Sequence, residues 1–307
     1  MHLWPSPLKH GDIVDIIAPS FGFQPDVIEE VRTVANSWGF KARIPDNIFG
    51  EDLLCANSDE IRFQHLKEAL YNKDSRAIWS LRGGYGATRL FPMLNELPEP
   101  SQTKLVIGFS DITALHIFLN QKWGWPTLHA CGARQIAQQK VSVESSDLLK
   151  SILFGEQKEG YTYSLKPLND ASQKTQSIQS SVAGGNLCLV QCSLGTFWQL
   201  DGKDKIILLE DVDEKGYRID RMLNHLTQAG IFTDAKAVLF GDFTGGKEDD
   251  GTSLVEPVIN RFANLLSIPA LRIEGVGHGF VNRPVPLGFP VMLETGSDAK
   301  LSFFIDL

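Results

Sequence analysis

The first half of the chain alternates short β-rich runs with stretches of helical spacing. Residues 12–17 (DIVDII) make an apolar run that Ala18-Pro19-Ser20 closes. Beyond Pro25, Val27, Ile28, Val31, Val34, Ala35 and Trp38 recur at intervals of three and four, the spacing of one helix face, and Gly39 supplies a carboxyl cap. Asp59 caps a second helix carrying Ile61, Leu66, Ala69 and Leu70. The pattern then predicts a strand over 76–81, a glycine turn, a helix over 87–97, a strand over 104–109 and a helix over 111–121. Buried strands separated by helices of this length belong to an α/β fold, a mostly parallel sheet with helices on both faces. Such sheets bind ligands at the carboxyl ends of their strands. The turns at Gly83-Gly84 and at Ser110 both follow strands, so both are expected on one rim.

Residues 169–181 (NDASQKTQSIQSS) offer little to bury and read as the centre of a linker over 166–182. That divides the chain into an N-terminal α/β domain, 1–165, and a second, mixed α/β domain, 183–307. In the second the pattern restarts with AGGNLCLVQCSLGTFW and a strand over 205–209. A helix bearing Ile219, Met222, Leu223 and Leu226 comes next, then a strand over 237–243 and short β-like pieces near 271–276, 291–294 and 301–306. There is no internal repeat.

Composition narrows the function classes. With 307 residues, 43% hydrophobic and 21% charged, the chain has ample material for buried cores. Its net charge of -8 argues against a broad electrostatic grip on nucleic acid or an anionic membrane. The first residues lack the pattern of a signal peptide, and no apolar stretch reaches the roughly 18 residues of a membrane span. Cys55, Cys131, Cys188 and Cys192 show no zinc-ligand spacing and read as small core residues of a reducing compartment, Cys188 and Cys192 sharing a buried helix face.

Candidate chemistry sits where strands end. KLVIGFSDITALHIFL places Ser110 between an apolar strand and an amphipathic helix. A serine on such a turn exposes its hydroxyl while the helix N–H groups face the same space, the logic of a nucleophile elbow. The local pattern by itself favours a plainer reading of that serine, a helix N-cap. Arg82-Gly83-Gly84-Tyr85-Gly86 follows another strand, and its glycines let backbone N–H groups approach a ligand. It lacks the Lys-Ser/Thr of a P-loop, and an ordinary tight turn fits it as well.

A serine nucleophile needs a base, and the base an orienting partner. His2 and His10 are terminal, His65 and His225 lie on helical stretches, and His116 follows Ser110 on its helix. His129 ends a strand and is the runner-up for the base. His278 lies between glycines in Gly275-Val276-Gly277-His278-Gly279, which leaves space for a substrate. Glu210 closes the apolar run of KIILLEDVDE, where a carboxylate requires a partner. Asp211, Asp213 and Glu214 are alternatives that residue patterning leaves open.

Taken together, GDIVDIIAPS, LRGGYGATRL, VIGFSDITALH, AGGNLCLVQCSLGT, IILLEDVDEKGYRIDRMLNHL, VLFGDF and GVGHGFVNRPVPLG resemble, in order, the LD-carboxypeptidase family of serine peptidases, which includes the microcin C immunity peptidases. The matching pieces run from residue 11 to about 288. The resemblance implies a Ser-Glu-His triad on Ser110, Glu210 and His278, with oxyanion donors at the Gly84 and Asp111 N–H groups. It implies hydrolysis of the LD-peptide bond to a terminal D-alanine in murein tetrapeptides, in cytoplasmic cell-wall recycling, by a homodimer without metal or organic cofactor. Arg82, Gly83 and Tyr85 are the substrate-binding candidates, Arg82 for the free carboxylate. The immunity branch cleaves a peptide-nucleotide amide and needs an aromatic surface, for which Trp198 is available. A two-domain receptor that closes on a small anion without turnover is the reading from another class. Leu128-His129-Ala130-Cys131-Gly132 departs from the histidine-glycine-proline type sequence of many relatives, which bears on the pocket wall and leaves the triad untouched.

Overall fold

A computed structural model describes residues 4–304, and the chain divides between Gln157 and Lys158 into two units. In the first unit β1 (Ile13–Ile17) leads to α1 (Val27–Trp38), β2 (Lys41–Arg43), α2 (Asp59–Tyr71) and β3 (Ser75–Ser80). Then come a 3-10 turn over Ala87–Leu90, α3 (Phe91–Asn95), β4 (Leu105–Gly108), a 3-10 turn over Ser110–Ile112 and α4 (Thr113–Lys122). The unit ends with β5 (Thr127–His129), α5 (Ala133–Ala137) and α6 (Val143–Leu153). Its strands pair in the order β5-β4-β3-β1-β2, all parallel.

Local chemistry explains these elements. In α1 the apolar face buries Val27, Val31, Ala35 and Trp38, Glu29 and Glu30 complement the helix amino end, and Gly39 caps it at φ 92°. The cap of α2 is Ser58, one residue before the expected Asp59: its side chain accepts from the Ile61 N–H. The helices expected over 87–97 and 111–121 each begin as a 3-10 turn, which shortens their α-helical part.

Several charged side chains are buried in this unit, Lys104 among them. Lys104, fully buried, donates to the Ala69 carbonyl (2.6 Å) and the Ser75 hydroxyl (2.7 Å). Burial lowers its pKa from 10.5 to about 8, against the opposing pull of Asp15 and Asp74. Between those pH values the folded chain holds fewer protons than the unfolded one, so stability rises with pH across the window. Urea unfolding at pH 7.5 and 9.5 should show the wild type gaining on the order of 1–2 kcal/mol relative to Lys104→Met. Parallel pH dependences in the two proteins would refute this.

The second unit comprises β6 (Tyr161–Pro167), α7 (Asp170–Gln173), β7 (Ser177–Asn186), α8 (Leu187–Cys192), β8 (Ile206–Val212), α9 (Gly216–Gln228) and β9 (Ala237–Thr244). After these follow α10 (Val255–Ala263), β10 (Ala270–Ile273), β11 (Val285–Leu287), β12 (Pro290–Glu294) and β13 (Lys300–Phe303). Seven strands close a barrel in the order β10-β6-β13-β12-β7-β8-β9. The run β7-β8-β9-β10 is parallel and the remaining pairings are antiparallel. At Gly184 (φ 106°) a Cβ would lie 2.4 Å from the Leu208 carbonyl oxygen, so the β7–β8 approach requires glycine there. Among the described residues no helix is long and apolar enough to cross a membrane.

The α/β architecture agrees with the sequence pattern, but the linker does not. Residues 166–182 hold the end of β6, α7 and the first half of β7, all inside the second unit. The polar run Ser177–Ser181 is a barrel strand with solvated positions, paired residue by residue to β12. Its mostly solvated side chains disguise a backbone paired along β12. The expected strand 301–306 ends at Phe303, and its last two positions lie outside the described residues.

Candidate active site

β3 and β4 are parallel neighbours, with Trp79 beside Ile107, so the turns that follow them leave the sheet at the same end. There they touch. A Cβ on Gly83 would stand 2.9 Å from the Ser110 Cβ, 3.0 Å from the Phe109 carbonyl oxygen and 3.2 Å from the Asp111 nitrogen. No side chain fits at 83 without moving that turn. Ser110 itself adopts φ 62°, a left-handed conformation that costs a non-glycine residue about 1–2 kcal/mol. Its side chain caps neither the 3-10 turn nor α4, which disposes of the N-cap reading.

Two buried side chains hold these turns. The Asp111 carboxylate accepts from the Ser20 hydroxyl (2.6 Å) and the Ala87 N–H (2.9 Å), joining the end of β1 and the exit of the glycine turn to the serine turn. Burial pushes its pKa up, and those two hydrogen bonds pull it back. Arg62 donates to the carbonyls of Pro19, Asn57 (3.0 Å) and Gly86 (3.0 Å), with Asp59 as its counter-ion.

In the second unit, Glu210 and His278 form a pair. His278 Nδ1 lies 2.7 Å from Glu210 Oε2, and the Glu210 side chain is 0% exposed. Glu210 stands at an irregularity of β8, where the register with β9 shifts between Leu209 and Asp211. Glycines make space for it. A Cβ on Gly241 would come within 3.0 Å of the Glu210 Cβ, and one on Gly277 within 3.0 Å of Oε2. The loop bearing His278 is held by the Gly275 N–H donating to Asp242 (3.1 Å) and the Gly277 N–H donating to Asn282 (3.3 Å). Burial works against protonation of His278, but Glu210, aided by Asp211 and Asp213, outweighs it and raises the imidazole above its ordinary value.

Comparison with known proteins follows the same division. Residues 14–130 match the LD-carboxypeptidase N-terminal domain and residues 179–293 the LD-carboxypeptidase C-terminal domain. A Rickettsia conorii protein provisionally named a carboxypeptidase is 38% identical over 274 residues, 89% of this chain and 84% of its own. The chain belongs to the LD-carboxypeptidase family. A muramoyltetrapeptide carboxypeptidase structure from Oxalobacter formigenes superposes with a TM-score of 0.78 at 25% identity, covering 94% of this chain and 98% of that one. An MccF-like protein from Bacillus anthracis reaches 0.81 at 19% identity, over 98% and 99% of the two chains, a likeness of fold.

Among the described residues of this chain the other histidines have local partners. His116 bonds the Gly108 carbonyl, and burial lowers its pKa to about 4. His65 meets Asn47, His225 meets Gln191, and His10 packs on Phe154. His129, fully buried, sets its ring edge-on to Phe109, and His2 lies outside the described residues. Arg82 stacks near Phe21, Tyr85 is exposed, and Trp198 is buried in the second unit. Cys188 and Cys192 share one face of α8, but it is not a buried one: Cys188 is half-buried and Cys192 exposed, while Leu187 and Val190 face inward. Sequence reasoning gave no role to Asp242 or Asn282. The signal was present in VLFGDF and GHGFVN, a polar residue in each otherwise apolar or glycine-rich piece.

Proposed function

We propose that this chain is a serine carboxypeptidase that hydrolyses the LD bond to the terminal D-alanine of murein tetrapeptides, with Ser110, His278 and Glu210 as its triad. The observation that carries the reading is Ser110 itself, held at φ 62° against Gly83 with no capping duty, in a chain of this family. The name of the Oxalobacter formigenes structure supports the substrate.

In this mechanism His278 takes the Ser110 proton as the hydroxyl attacks the scissile carbonyl. Glu210 fixes the imidazole through Nδ1 and stabilises its charged form. The Gly84 and Asp111 N–H groups receive the oxyanion, an effect worth about 3 kcal/mol per donor. D-Alanine departs with the proton from His278, and water, activated by the same imidazole, then hydrolyses the acyl-enzyme. We assign the protein to the cytoplasm as a homodimer, its free thiols being in keeping with a reducing compartment.

The test is D-alanine release from an LD-linked tetrapeptide by the purified protein. An intact tetrapeptide alongside cleavage of an aminoacyl-nucleotide amide would replace this substrate with the immunity type. Cleavage of neither would favour a receptor without turnover. Because the base must be neutral and its pKa is raised, the acid limb of kcat/KM should fall above about 6.5, the value for an unperturbed histidine. A limb below that value would remove His278 from the role of base.

A further inference from the structure

Two partly buried guanidinium groups in the first unit, those of Arg82 and Arg134, lack an acidic partner among the described residues. Arg82 donates to the carbonyls of Gly83 and Gly22, each at 3.2 Å, and Arg134 donates to Gln138 Oε1 at 3.4 Å. Arg134 Nε is buried and bonds nothing. Both cations stand over the ring of Phe23, their Cζ atoms 5.8 and 4.4 Å from its centroid, and Arg82 also lies 5.5 Å from that of Phe21. By contrast Arg43, Arg62 and Arg272 each meet a carboxylate.

Gathering two like charges at one half-buried ring is unfavourable unless an anion joins them. Burial lowers both guanidinium pKa values, and Arg134 lowers that of Arg82 further. The aromatic face offsets part of that cost and fixes the planes of the cations.

Their place in the fold gives the anion its chemistry. Arg82 directly precedes Gly83, the residue pressed against Ser110. The Arg134 N–H donates to the Leu81 carbonyl at 3.0 Å, and a Cβ on the nearby Gly132 would be 3.3 Å from the Arg82 Cα. Both side chains therefore spring from backbone beside the serine turn. In a terminal residue the carboxylate carbon is only three bonds from the scissile carbonyl carbon, so its receptor must adjoin the nucleophile. We infer that Arg82 and Arg134, stacked on Phe23, form the receptor for the free carboxylate of the departing residue and make the enzyme an exopeptidase. This rests on the proposed peptidase function and deepens it.

The test compares tetrapeptides ending in D-alanine and in D-alanine amide. The wild type should prefer the acid in kcat/KM, and Arg134→Gln should reduce that preference about 10–100-fold, the range for loss of a charge-assisted hydrogen bond. Arg134→Lys, which keeps the charge but loses the planar fork stacked on Phe23, should retain part of it. Binding of both peptides to Ser110→Ala, with and without Arg134→Gln, gives the same comparison without turnover. Thermal melts identify variants that fail to fold, in which case Arg82→Gln takes their place. Equal cleavage of acid and amide by the wild type, or an unchanged preference in Arg134→Gln, overturns the receptor and leaves the peptidase standing. A wild type that neither cleaves nor binds either peptide overturns both.

Discussion

Ser110→Ala should lower kcat for D-alanine release by about 10⁴–10⁶-fold, to the residue of rate that binding and oxyanion donors alone sustain. In the proposed mechanism the hydroxyl oxygen is the atom to which the peptide's acyl group transfers, so no neighbouring group replaces it. Alanine is also a clean substitution in structural terms. The side chain caps no helix, so its loss frees no helix N–H. Alanine pays much the same cost as serine at φ 62°, so the melting temperature should stay close to that of the wild type. Equal melting curves with a collapsed rate would assign the loss to chemistry. Undiminished release by the variant would end the case for Ser110 as nucleophile.

The second large effect is expected at Glu210. Replacing it with glutamine keeps size and shape but removes the charge that favours protonated His278. It also allows the amide to donate to Nδ1, which holds the imidazole in the tautomer unable to accept the serine proton. A loss in kcat near 10⁴-fold should follow, with KM little changed. Crowding limits the ways around this. The side chain is fully buried, and Gly241 and Gly277 bring backbone to about van der Waals contact with it, so the glutamine cannot swing away. Its second polar atom inherits the place of Oε1, which has no hydrogen-bond partner. Because that position is already unpartnered in the wild type, the stability cost is that of trading the charged hydrogen bond to His278 for a neutral one, about 1 kcal/mol beside the kinetic loss. Any activity that Glu210→Gln keeps should show an acid limb shifted downward. A variant within tenfold of the wild-type rate would leave Glu210 a structural partner of the loop.

Much of this was legible in the chain because the informative segments are locally self-consistent. The helix at 27–38 carries face, acidic first turn and glycine cap in one stretch. Leu105–Gly108 is wholly buried, so its apolar run reads as a strand, and the serine after it stands out. Glu210 is conspicuous for the same reason, a carboxylate ending a run in which Ile206 to Leu209 are fully buried. What escaped depends on partners distant in sequence. Ser177–Ser181 is polar, and only its pairing with β12, more than a hundred residues on, makes it a strand. Closure of the barrel likewise rests on β12 and β13, too short to announce a register. Arg134 sits in a helix of five residues, and nothing near it in sequence reveals that it shares Phe23 with Arg82.

The left-handed serine also has a consequence for how such a sequence drifts. Glycine pays no penalty at φ 62°, so the folded chain would gain by discarding the side chain on which the proposed reaction depends. Stability and catalysis pull in opposite directions at this codon. A lineage released from the need to trim peptides should therefore lose the serine early, with glycine or asparagine fixed in its place. The surrounding turns, still packed for the fold, would survive as the imprint of an abandoned trade.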